Sequence, residues 1–240
     1  MKFSLIILTY NEIVSSKVII PKINKSLFHE IIVMDGGSTD GTIEFMRENN
    51  IKVIVQQVTK YSWYNIAKRQ MNIAKGISLA IKKTTGDYMI LFTPDGNMIP
   101  EKLQELISTC KQGYDYVCVS RYKDNAKSFD DSLVTAFGNF FFTNLVNILF
   151  KANFTDVLGG YKAAKKSLWN YLDKDNDLTI SFGTQLAITC AKNNLKYTEI
   201  PGDEPKRIGG QSSMNAVING TIELYTILKS FIFRNLYKFK

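Results

Sequence analysis

Histidine is almost absent from this 240-residue chain; His29 is the single one. A metal site built on imidazoles, or a Ser-His-Asp triad, therefore has little material. Cysteine is scarce too. Cys110, Cys118 and Cys190 form no CxxC pair and leave an odd thiol, which excludes a disulfide scaffold and fits a reducing cytoplasm. Neither a GxxxxGK[ST] loop nor a GxGxxG turn occurs, which argues against ATPases and dinucleotide-dependent dehydrogenases. There is no internal repeat, low-complexity tract or obvious linker. The apolar start, residues 1–9, is too short for a signal peptide and lacks a small-residue cleavage site.

No segment reads as a transmembrane helix. The longest uncharged stretch, residues 132–150, carries Thr135, Asn139, Thr143 and Asn147 at a spacing of four. That is one polar stripe on a helix whose other faces hold Phe137, Phe140, Phe141, Leu145, Ile148 and Leu149. A spanning helix would not need the stripe. Two readings stay open: a core helix with one wet edge, or a helix lying at a membrane surface.

What is present is ample apolar material, 45% of residues, so disorder is excluded and one or two domains are expected. Basic residues outnumber acidic ones, 30 to 22, for a formal charge of +8. That sign calls for an anionic partner: nucleic acid, a membrane surface or a phosphorylated substrate.

The first half alternates strand and helix. Apolar runs at residues 3–9, 30–34, 51–55, 88–93 and 116–120 suit buried parallel strands. Helical patterns lie at 41–49, within 63–83, and from Pro100, with proline at the first helical position. This βαβ series predicts a mostly parallel sheet covered by helices. The second half is less regular: a helix over 130–150, the Gly159-Gly160 turn, a short strand through Ala163, a helix over 182–193 and a strand over 196–200. A loop at 203–213 follows, then a helical pattern to the end.

In an open α/β sheet, ligands bind beyond the carboxyl ends of the strands. Three polar clusters sit just there: Thr9-Tyr10-Asn11-Glu12, then Asp35-Gly36-Gly37-Ser38-Thr39-Asp40-Gly41, then Thr93-Pro94-Asp95-Gly96-Asn97. Asp40 suits a helix cap and Glu12 a first-turn carboxylate. Asp35, ending a buried strand, is expected to point into the crevice.

LTYNE at 8–12 with DGGSTDGT at 35–42 resembles the nucleotide-binding half of family 2 glycosyltransferases. GDYMILFTPDGN at 86–97, VSRY at 119–122, DVLGGYKAAKKSLW at 156–169 and EIP…RIGGQS through 212 resemble its dolichol-phosphate mannosyltransferase-like branch. The resemblance implies a GT-A fold: an α/β, Rossmann-like, mostly parallel sheet flanked by helices. It implies one catalytic domain over 1–213, with a nucleotide-sugar half (1–97) and an acceptor half (98–213). Residues 214–240 would add a C-terminal amphipathic helix.

By the same resemblance, Asp35 reads the nucleobase, with Thr9, Tyr10, Asn11, Glu12, Gly37 and Ser38 around the nucleotide. Asp95 is the second aspartate of the family's DxD and, with Asn97, holds Mg²⁺ or Mn²⁺ on the diphosphate. Arg207, Gly210 and Ser212 close over that diphosphate. Arg121 and Thr135 serve the acceptor. Asp156 is the first candidate for a catalytic base, with Asp130 and Asp131 as alternatives. The chain departs from the pattern in three places. Thr93 replaces the first DxD aspartate, Asp131 and Thr135 stand where dolichol-phosphate enzymes carry arginine and serine, and Ser213 replaces a lysine.

The implied activity is inverting transfer of a sugar from a nucleoside-diphosphate sugar, UDP slightly ahead of GDP, to a lipid-linked or glycan acceptor in surface polysaccharide or glycolipid assembly. The alternatives are a polyprenyl-phosphate glycosyltransferase and a sugar nucleotidyltransferase. Nucleic acid is the least favoured partner, because the aromatics cluster in apolar helical stretches rather than on a basic face. Residues 229–240 hold Lys229, Arg234, Lys238 and Lys240, no acid, and six apolar or aromatic side chains. At about 1 kcal/mol per basic residue, roughly 4 kcal/mol favours an anionic leaflet, so peripheral attachment to the inner face of a membrane is expected. Docking on the protein itself or in a homodimer is the alternative.

Overall fold

The computed structural model describes residues 1–56, 66–173, 178–209 and 215–233. Seven strands, β1 (Phe3–Thr9), β2 (Glu30–Asp35), β3 (Lys52–Val55), β4 (Tyr88–Phe92), β5 (Tyr116–Ser120), β6 (Lys162–Lys165) and β7 (Tyr197–Pro201), form one sheet in the order β3-β2-β1-β4-β6-β5-β7. All run the same way except β6, which is antiparallel to both β4 and β5. The mostly parallel α/β sheet read from the sequence is therefore present. The short strand through Ala163 is present too, reversed.

The central strands are buried on both faces, which is why they read as continuous apolar runs rather than alternating ones. Every residue of β4 and β5 is buried. In β1, Ile6 faces the side covered by α3 (Ile66–Lys83), α6 (Lys166–Asp173) and α7 (Phe182–Lys192). Leu5 and Ile7 face the side covered by α1 (Ile13–Ile19), α2 (Thr42–Glu48) and α4 (Lys102–Lys111).

Two helices escaped the sequence reading. α1 is only seven residues, rich in β-branched side chains, and α6 follows β6 with no turn between them. Pro100 also precedes its helix rather than opening it. Its carbonyl accepts the Leu103 N–H in a tight turn, and α4 begins at Lys102.

The uncharged stretch forms α5 (Leu133–Phe150), and its polarity is the reverse of a helix with a wet edge. Asn139 and Thr143 are 2% and 4% exposed, whereas Leu133, Phe137, Phe140 and Ile148 are 92%, 67%, 66% and 75% exposed. The polar stripe binds backbone of the following loop. Asn147 exchanges two hydrogen bonds with Phe154 (2.8 and 2.9 Å), Thr143 Oγ1 accepts the Val157 N–H and Asn139 Oδ1 the Leu158 N–H. By length and composition α5 is apolar enough to cross a membrane, and 17% of it is buried. The polar stripe, bonded to the protein, still argues against a spanning role, as read from the sequence. α8 (Ala216–Ile232) packs on α5 and α7 and buries Ile227 in the same core. Residues 234–240 of the basic tail lie outside the described residues.

All three cysteines are free and buried. Burial pushes the Cys110 and Cys118 thiols up to about 12, and Cys190 well above its usual value. At pH 8 the folded protein should thus show no thiol reactive toward a disulfide reagent, and all three should react in denaturant. A thiol that reacts rapidly without unfolding would contradict this packing.

Candidate active site

Parallel strands bring five loops to one edge. Thr9 and Asp35 are register partners at the ends of β1 and β2; β4 ends at Phe92, three residues before Asp95; Ser120 pairs with Pro201 at the ends of β5 and β7. Because β6 is reversed, residues 156–161, which lead into it, reach the same edge.

The first two loops are sewn together by the residues that made the sequence distinctive. Asp35 is fully buried and accepts four hydrogen bonds, from Thr9 Oγ1, Gly37 N, Ser38 N and Ser38 Oγ, all 2.7–2.8 Å. Its carboxylate turns back into its own loop, not into the crevice as expected, because neighbouring donors fill both oxygens. Asn11 donates its N–H to Ser38 Oγ and accepts the Thr39 N–H. Asp40 accepts the N–H of Ile13 and of Thr42, the first residues of α1 and α2, so it caps both. Tyr10 is left facing outward, 46% exposed, against Gly36, where a Cβ would come within 3.1 Å of its ring.

Beyond β4, the turn at Asp95 meets the loop after β7. Gly96, at φ +96°, lies so close to Ile208 that a Cβ would sit 2.7 Å from its side chain. Ile208 N–H donates to the Asp95 carbonyl (2.7 Å), and the Asn97 amide donates to the Pro205 carbonyl (2.7 Å). The Asn97 amide nitrogen thus helps to hold this loop beside Asp95. The loop delivers Arg207 between two carboxylates: Nη1 is 3.0 Å from Asp95 Oδ2, and Nη2 bonds Glu12 Oε1. Asp95 and Glu12 side chains are 13% and 10% exposed. Burial raises the Asp95 carboxyl above its ordinary range; Thr93 Oγ1 and Asn97 N–H lower it, and nearby Asp130 raises it again. Arg207 Nε is buried with no partner among the described residues, so the guanidinium's donors are not all used. Gly210 and Ser212 lie outside the described residues.

The expected acceptor residues are placed differently. Arg121 is encircled by carboxylates. Nε and Nη2 reach the two oxygens of Asp156 at 2.6 and 2.9 Å, and Nη1 reaches Glu204 at 3.2 Å and Asp131 at 3.4 Å. Burial works against its charge, but Asp156 first, then Glu204 and Asp131, holds it well above its usual value. Arg121 is therefore a structural cross-link, not a free phosphate ligand.

Asp156 is fully buried, and its two oxygens accept from Arg121 and from the Gly159 N–H, so the structure shows it holding Arg121 rather than facing the open edge. Asp131 is bound to Arg121 and the Tyr122 hydroxyl. Asp130 is the exposed one; its Oδ1 accepts the Arg207 N–H at 3.4 Å, and Oδ2 makes no bond among the described residues. Thr135 is spent in a reciprocal capping box with Ser132 at the start of α5, not on an acceptor. Glu204 escaped the sequence reading. Its signal lay in the charged segment between EIP and RIGGQS, but its partner Arg121 is 83 residues away.

Residues 4–172 match the glycosyl transferase family 2 profile. The chain belongs to family 2 of the glycosyltransferases. It is 25% identical over 233 residues to glycosyltransferase AglJ of Haloferax volcanii, covering 92% of this chain and 70% of that one. It is 28% identical over 130 residues to the dolichol-phosphate mannosyltransferase of Pyrococcus furiosus, covering 53% and 35%. The glucosyl-3-phosphoglycerate synthase of Mycobacterium tuberculosis, solved with Mn²⁺, UDP and glucosyl-3-phosphoglycerate, superposes with a TM-score of 0.68 at 16% identity, over 95% of this chain and 79% of that one. The fold is thus the GT-A type expected.

In this family 2 enzyme, Arg121→Ala should expose the structural role of the cross-link. Removing one partner of a buried pair leaves Asp156 uncompensated, at about 3–5 kcal/mol, or roughly 10 °C in Tm. A variant with wild-type Tm and weakened acceptor binding would instead make Arg121 an acceptor ligand.

Proposed function

We propose that the chain moves a sugar from a nucleoside-diphosphate sugar to a lipid-linked acceptor by one in-line, inverting displacement, at the cytoplasmic face of a membrane. The observation that carries the donor half is the Arg207 guanidinium held between Glu12 and Asp95 with Nε unspent. Two carboxylates facing one cation make a pocket for positive charge, and an arginine with a free donor suits a phosphate oxygen. Uridine is favoured as the base, in line with the UDP bound by the mycobacterial synthase.

The residues fit a divalent metal in part. Asp95, Glu12 and the Thr93 hydroxyl are oxygen donors of the kind Mg²⁺ and Mn²⁺ take. No group of three or more His, Cys, Asp or Glu is gathered for a metal among the described residues, so diphosphate and water oxygens would complete the shell. The metal, when bound, supplies neutralisation of the leaving diphosphate. Asp95 and Glu12 would hold it, and Arg207 would turn its donors to the diphosphate.

The acceptor side favours a hydroxyl. Asp130, Asp131, Asp203 and Glu204 gather there, and Arg121 is already matched by carboxylates, so a second phosphate meets net negative charge. Asp130, exposed beside Arg207, is placed to take the hydroxyl proton as the bond to the sugar forms. The outward apolar face of α5, whose first turn follows Asp130 in the chain, supports a membrane-borne acceptor.

Calorimetry with UDP, GDP, CDP and dTDP in the presence of Mn²⁺ should give tightest binding for UDP; no binding by any of them would end the reading. Asp95→Asn should lower metal-supported turnover at least about 100-fold while leaving the fold intact. Full activity in that variant would remove Asp95 from the donor site. Asp130→Asn should cost about 100-fold or more in kcat on a hydroxyl acceptor; an unchanged kcat would mean the acceptor needs no base there.

A further inference from the structure

Two neighbouring helices of this protein are inside out. On α5 the polar stripe faces the protein, and six large apolar side chains, Leu133, Val134, Phe137, Phe140, Phe141 and Ile148, face outward. On α8 the buried residues are Glu223, Thr226, Ile227 and Ser230, while Val217, Tyr225, Phe231 and Ile232 are 78%, 65%, 49% and 67% exposed. The helices lie side by side, both in contact with α7, and Phe150 meets Phe231 edge to face at 6.3 Å. Their outward sides therefore form one continuous apolar face, larger than scattered surface hydrophobics explain.

We propose that this face lies on an anionic lipid bilayer, with α5 and α8 in the interface plane and the site's acceptor mouth at lipid level. The charges around it select the occupant. α5 carries no charged residue, and the one acid on α8, Glu223, is buried. Exposed Lys151 caps the far end of α5 and exposed Asp130 stands before its start, while the sequence beyond α8 carries Arg234, Lys238 and Lys240 with no acid. A second copy would set these cations against their own kind, whereas an anionic leaflet matches them. The rows of aromatic side chains suit the headgroup boundary.

α5 lies along the bilayer rather than through it, because Asn139, Thr143 and Asn147 hold backbone of residues 154–158 and would lose those partners by leaving. The face starts at the site: Phe129, 54% exposed, and Asp130 immediately precede it, and Asp130 bonds the Arg207 backbone. A lipid-linked acceptor lying in that leaflet would thus bring its head to Asp130.

This deepens the lipid-linked reading, but its test uses no nucleotide, sugar or acceptor and so stands or falls separately. The full chain is floated with vesicles of phosphatidylcholine alone and of equimolar phosphatidylcholine and phosphatidylglycerol. Binding should be strong on the anionic vesicles and weak on the neutral ones. The double variant Phe137→Glu/Phe140→Glu on α5, and separately Val217→Glu/Tyr225→Glu on α8, should each lower anionic partitioning by about tenfold or more. Both pairs replace exposed side chains, so Tm should stay near that of the parent. Folded variants that partition like the parent would overturn the proposal. So would a parent that ignores both vesicles, or one that forms a dimer which either double variant dissociates, since a second copy would then own the face.

Discussion

A positive charge held between Glu12 and Asp95 is the interaction on which the site depends. Parallel strands leave carboxylates from the ends of β1 and β4 facing each other at one edge. Both are largely withdrawn from water, and such groups need a cation. Arg207 supplies it, and its position is set by Gly96, by the Ile208-to-Asp95 backbone bond and by Asn97 gripping Pro205. The loop after β7 is therefore part of the proposed donor pocket, although it lies beyond the segment that matches the family profile. The guanidinium seated between two carboxylates that suit a metal offsets one of their two negative charges.

The second arginine shows how misleading a formal charge can be. Of the excess of +8, Arg121 is more than matched by Asp156, Asp131 and Glu204. Lys162 is fully buried, its amine lowered by burial and pulled back by Cys118 and Asp156. Neither contributes to a basic surface. The acceptor mouth is acidic, while exposed cations lie beside the helices that turn apolar residues outward. Donor phosphates and the proposed lipid surface thus meet different charges of the same chain.

Much of the fold was legible because β1, β2, β4 and β5 are buried on both faces and so appear as unbroken apolar runs. Polar clusters after those runs located the site edge for the same reason. Three things were hidden by distance or by direction. The orientation of Asp35 depends on four donors, one of them Thr9 on the neighbouring strand, and nothing in an aspartate at a strand end says which way it points. The Arg121 cluster joins residues as far as 83 positions apart. On α5 the four-residue polar stripe was correctly seen, but periodicity tells only that two faces differ, not which of them meets the protein. The motif around Gly210 and Ser212 lies outside the described residues, so the closing loop is known from Arg207 and Ile208.

The most direct measurement is a titration of Mn²⁺ alone, followed by electron paramagnetic resonance, on the parent protein and on Arg207→Ala. If the guanidinium neutralises the carboxylates that hold the metal, removing it frees Asp95 and Glu12, and Mn²⁺ should bind more tightly to the variant. Equal or weaker Mn²⁺ binding by a folded Arg207→Ala protein would contradict the account.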